Sequence, residues 1–134
     1  MFDWQLPSRE AWQLEIDKLG FALLLDSAFT LEGIAGFEPV AYNREETGFE
    51  LYVSSAEAIT ADFPHIESRI GKRDACVTFR WGGDPLESAA AISAAAALTE
   101  LTDGIWYDPQ DDRLLGSPAV VTSARRDLRS IEEL

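Results

Sequence analysis

His65 and Cys76 are the only histidine and the only cysteine in 134 residues. A Cys–His or Ser–His–Asp site would have to be built on that single imidazole. His65 follows Pro64 in a loop and Cys76 falls inside a strand pattern, so they read as a surface histidine and a structural thiol. Gly82-Gly83-Asp84 stands where a strand gives way to a helix, and a glycine turn there can present amides to a phosphate. The run is neither G-x-G-x-x-G nor followed by Gly-Lys-Ser/Thr. Asp84 also puts a negative charge where the anion would sit, so a capped turn is expected. Asp103, Asp108, Asp111 and Asp112 crowd into one short stretch. Asp108, Gln110 and Asp112 match the first spacings of a calcium loop, but Arg113 replaces its glycine and Ala119 its closing glutamate. No catalytic set, cofactor or metal is expected, and the chain is read as a non-enzyme.

The elements that hold these residues carry an uneven charge. The chain has 24 acids against 11 Lys and Arg, a formal net charge of −13. Residues 1–67 hold 13 of the acids and only Arg9, Lys18 and Arg44 as bases. Such a balance argues against nucleic acid or an anionic membrane as partner, because phosphate binding needs clustered Lys and Arg. No apolar run approaches the roughly 20 residues of a membrane span. MFDWQLPSRE lacks the pattern of a secretory signal, and one cysteine allows no internal disulfide. A cytoplasmic protein with a single domain over 1–134 is expected. Apolar residues at 46% are enough for a packed core.

Ser8 caps a helix over Arg9–Leu19 with Trp12, Ile16 and Leu19 on one stripe, and Gly20 stops it. Phe21–Leu25 reads as a short buried strand and Asp26–Gly36 as irregular. Gly36–Tyr42 and Gly48–Val53 read as strands joined by a loop of Asn43 to Thr47. In the second, Phe49, Leu51 and Val53 face one way, Glu50 and Tyr52 the other. Ser54 and Glu57 fit a capping box for a short helix ended by Pro64. Ala75–Trp81 is the clearest strand. Asp84, Pro85 and Glu87 open an alanine-rich helix to about Leu101. Gly104–Tyr107 and Arg113–Leu115 form a hairpin, and a last helix starts near Thr122 or Ser123, with Val121, Ala124, Leu128, Ile131 and Leu134 on its apolar face. Val77, Phe79, Trp81, Ile92, Leu98, Leu101 and Ile105 should share one core cluster. The expected fold is α+β, with a mainly antiparallel sheet and helices on one face. A parallel crossover through 75–107 would make the sheet mixed.

The chemistry that remains is binding. Glu38, Tyr42, Glu45, Glu46, Glu50 and Tyr52 would form an acidic hairpin with exposed aromatics, and Asp108, Asp111 and Asp112 an acidic turn. Both are candidate partner surfaces, with Glu45 and Glu46 at a loop tip. Three stretches add a resemblance: Arg80-Trp81-Gly82-Gly83-Asp84, Leu101 through Gln110, and Gly36-Phe37-Glu38-Pro39-Val40 leading to Glu46-Thr47-Gly48-Phe49-Glu50. They resemble small bacterial immunity proteins encoded beside polymorphic or type VI-secreted toxins. The resemblance implies a partner, a cognate toxin that is bound and neutralised. It carries over no functional residue. The acidity favours a basic toxin, since opposite charge speeds encounter. The other readings are a small regulatory or ligand-binding domain with a pocket between the alanine-rich helix and the sheet, and an enzyme working with carboxylates alone.

Overall fold

The computed structural model describes residues 7–26, 35–71, 73 and 75–132. Most of the stretch read as irregular, and Leu134, lie outside the described residues.

Helix α1 (Arg9–Lys18) starts where Ser8 Oγ accepts from Ala11 N at 3.1 Å. Gly20, at φ +79°, ends it in the left-handed region that glycine enters without strain. Strands β1 (Leu23–Leu25), β2 (Ala35–Tyr42), β3 (Glu45–Ser55) and β4 (Ala75–Arg80) form one sheet in the order β1-β2-β3-β4, each pair antiparallel. Between β3 and β4 lie α2 (Ala56–Asp62), a 3-10 turn (Pro64–Ile66) and the single-turn α3 (Glu67–Ile70). Helix α4 (Pro85–Thr102) is followed by a separate hairpin, β5 (Trp106–Asp108) and β6 (Arg113–Leu115), and then by α5 (Ala119–Glu132).

The α+β expectation holds, and four local readings change. The β2–β3 connection is two residues, not five: Asn43 and Arg44 both have positive φ, +51° and +68°, the geometry of a tight primed turn. Residues 45–47 belong to β3. The Ser54–Glu57 capping box does not form, since the helix is entered from Ser55 with no side-chain cap. Helix α5 begins at Ala119, three residues early. β5 pairs with β6 rather than with the main sheet, so among the described residues no parallel crossover exists.

Helix α4 is the central beam. Ala89, Ala90, Ala91, Ala94, Ala96 and Ala97 are all buried, so it is enclosed on several sides at once. Small side chains let the sheet, α1 and α5 all approach it. Its buried hydroxyls bond within the helix, Ser93 to Ala89 O and Thr99 to Ala95 O, each at 2.8 Å. Trp12, fully buried, donates from Nε1 to Ala94 O at 3.0 Å and meets Phe79 edge-on. Ile92 and Leu98 join this core as expected, with Val77 and Phe79 against it. Trp81 does not: at 41% exposure it lies past the end of β4 on the surface, and Leu101 and Ile105 are only half-buried. A second, smaller cluster joins Ala56, Ile66 and Ile70 to Phe63, Tyr107 and Leu114, fastening the α2–α3 segment to the β5–β6 hairpin. Arg73 ties its base to the end of α4, donating to Ile70 O at 3.0 Å and to Asp103 O at 2.6 Å.

Candidate binding surfaces

Strand alternation sorts the acidic hairpin residues. Residues opposite one another in an antiparallel pair share a face. Glu38 lies opposite Phe49, and Tyr42 opposite Glu45, so these three belong to the helix-facing side with Phe49 and Leu51. Tyr42 is 7% exposed and belongs to the core, which removes it as a partner anchor. Burial, and then the nearby Asp26, raise the Glu38 carboxyl above its usual range. Glu45 is exposed, but it stands at the start of β3 and not on a loop tip.

Glu46, Glu50 and Tyr52 face the other way, on the side opposite the main core. Leu24, Phe37, Pro39 and Arg80 share that side by register. Leu24 is 57% exposed and Phe37 62%. The Phe37 ring lies across Gly48 on the neighbouring strand, in the space a Cβ would need. Tyr52 donates to Glu50 Oε1 at 2.6 Å, which raises its phenol pKa, and the Arg80 guanidinium sits 5.6 Å from its ring centre. Half of the expected hairpin set thus survives as one surface, and it gains apolar neighbours that sequence reasoning missed. Phe37 and Leu24 are placed there only by the register, which the two-residue turn at Asn43-Arg44 sets.

The second acidic set sits on the separate hairpin. Asp108 Oδ1 accepts from Gln110 N at 3.0 Å in an Asx turn, and Asp111 is exposed. Asp112, at φ +51°, is occupied otherwise: Oδ1 lies 2.6 Å from His65 Nε2 and accepts from Tyr107 Oη at 2.9 Å. An ionised carboxylate only accepts, so Nε2 carries the ring hydrogen. The bonds from His65 and Tyr107 hold the Asp112 carboxyl below its usual range, while partial burial and Asp112 raise the Tyr107 phenol. Phe63 packs edge-on against Tyr107, with ring centres 5.3 Å apart. The group pins the 3-10 turn to the hairpin. No spacing rule links 65, 107 and 112, so no local pattern marks it.

Gly82-Gly83-Asp84 is the capped turn expected, with Asp84 Oδ1 accepting from Leu86 N at 2.9 Å. Cys76 is buried on β4. Among the described residues no group of His, Cys, Asp and Glu could hold a metal ion, and no helix is long and apolar enough to cross a membrane.

One cleft, of about 760 Å³, opens between the two hydrophobic clusters. Phe79, Leu98 and Trp106, which pack in the first cluster, and Phe63 and Tyr107, which pack on the second, all line it. Ala95, Leu98 and Thr99 of α4 and residues 76–80 of β4 both line it, so the helix and the sheet each contribute to its wall.

Comparison with protein-family models, curated proteins and solved structures finds no match to this chain.

Proposed function

We propose that this chain is an immunity protein: a cytoplasmic inhibitor that binds a cognate toxin and has no catalytic role of its own. The observation that carries the reading is the sheet face bearing Glu46, Glu50 and Tyr52. Large apolar side chains, Leu24 and Phe37, stand exposed there among carboxylates, in a chain of net charge −13. Exposed apolar groups ringed by charge favour a protein partner, the apolar part contributing affinity and the charge contributing encounter rate and selectivity. A basic toxin, such as one that must itself approach a nucleic acid, is the complementary class. The resemblance of the 36–50 and 80–110 stretches to immunity proteins supports the same reading.

The test is neutralisation. The product of the gene adjacent to this chain's gene, expressed alone, should arrest growth, and co-expression of this chain should restore it. The two should co-purify. An adjacent product that is harmless, or that kills equally with this chain present, contradicts the proposal.

A further inference from the structure

The two edges of the main sheet are treated differently. At the β1 edge a side chain stands in for a neighbouring strand. Gln13 donates from Nε2 to Leu23 O at 2.9 Å and accepts at Oε1 from Leu25 N at 2.8 Å. Arg9 Nη2 adds a bond to Leu25 O at 2.7 Å. Open edges invite pairing with other chains, and this edge is closed against it. At the β4 edge, among the described residues, no backbone or side-chain group bonds the outward amides and carbonyls of residues 75–80.

That edge faces the cleft. Residues 76 to 81 line it consecutively. Side chains of a strand alternate between faces, so consecutive residues reach one cleft only when the strand lies edge-on along it. The opposite wall has the same signature, since residues 105 to 110, which include β5, also line it consecutively. β5 pairs with β6 on its other side. The cleft thus has a strand from each sheet along it, with Ile59 and Asp62 of α2 and Leu98 and Thr99 of α4 completing its lining.

We infer that this cleft is a strand-addition site, which takes an extended segment of a partner protein with alternating aliphatic and basic side chains. The segment pairs with β4 and β5 and joins the two sheets. Main-chain bonds supply affinity that is indifferent to sequence, and the walls supply selectivity. Phe79 and Trp106 offer apolar contact, while Asp62 and Asp108 set two carboxylates against the single cation of Arg80. A second copy of this chain would arrive with its own charge of −13 and be repelled. The inference rests on the protein-binding reading above, but it does not need the partner to be a toxin.

The probe is a short capped peptide of alternating Val and Lys, titrated into the full-length ¹⁵N-labelled chain, with a Val–Glu peptide as control. Slowed amide exchange at every second residue of 75–80 is expected, with cross-strand NOEs from the peptide to β4. The Val–Glu peptide should bind at least about tenfold more weakly. Asp62→Lys with Asp108→Asn, which keeps an acceptor for Gln110 N, should weaken the Val–Lys peptide about tenfold. Unchanged exchange across β4 at the solubility limit of the peptide, NOEs to Phe37 and Leu24 instead, or equal affinity for the two peptides overturns the inference. Protection of β4 in the chain alone, accompanied by a doubled mass, overturns it in favour of a second copy. Failure of the peptide with the adjacent toxin still neutralised sinks the cleft and spares the inhibitor. A bound peptide without neutralisation does the reverse.

Discussion

Leu98 stands where α4 meets both the sheet and the cleft, and it is 3% exposed. Truncation would remove packing on both sides at once, and alanine-rich surroundings have little bulk with which to refill the space. Leu98→Ala should therefore cost about 2–5 kcal/mol in urea denaturation. A loss below about 0.5 kcal/mol would mean that the side chain is not packed as described. Asp112 gives a pH signature. Its carboxyl is held below the usual aspartate value near 3.8, first by His65 and then by Tyr107. The folded chain thus binds this proton less tightly than the unfolded chain. The stabilisation is fully present above about pH 4 and is lost as pH falls through the lowered value. The protection of amides at residues 106–108 and 113–115, relative to the intrinsic exchange rate at each pH, should fall in acid for the natural chain. In Asp112→Asn that protection should already be lower at neutral pH and respond less to acid. Equal protection in the two proteins at neutral pH would show that Asp112 does not hold the hairpin.

At the scale of elements, the β2–β3 hairpin is the most sensitive part. Its turn places Arg44 at φ +68°, where a Cβ is strained and glycine is not. Arg44→Gly should stabilise the protein by about 1 kcal/mol, read as a raised denaturation midpoint. A lowered midpoint would contradict the turn geometry. Gly48 is the opposite case. A Cβ there would fall 2.6 Å from Glu38 O, a backbone atom that cannot move alone, and against the Phe37 ring. Gly48→Ala should destabilise by about 1–3 kcal/mol in the same assay, and a neutral result would contradict the cross-strand packing. These two positions also show where sequence reading stopped. Helices α1 and α4 and strand β4 were legible because caps, stripes and alternation are local. The turn was not, because Asn-Arg lacks the glycine that marks a primed turn and the polar run Glu45-Glu46-Thr47 imitates a loop. That error hid the pairing of Phe37 with Glu50, and so hid the apolar half of the candidate surface. The closing of the β1 edge by Gln13, and the contact of His65 with Asp112 across 47 positions, depend on tertiary placement that no local pattern encodes.

For the whole molecule, folding separates the acids that the sequence groups together. Glu46 and Glu50 stand on the sheet face with Leu24 and Phe37, Glu38 turns toward the helices, and the Asp108–Asp112 turn belongs to a different sheet. The strongest candidate surface is therefore smaller than the excess charge of residues 1–67 suggests, and it mixes charge with apolar area. Its carboxylates should steer a basic partner, and steering between exposed charges is screened by salt. Under the proposed function, this face receives the toxin. The most direct measurement is the association rate constant with the adjacent-gene toxin, at low and high salt, for the natural chain and for Glu46→Lys with Glu50→Lys. The double reversal should slow association at low salt by about tenfold or more and flatten the salt dependence, with the denaturation midpoint nearly unchanged. An association rate that is untouched by the reversal at low salt would contradict it.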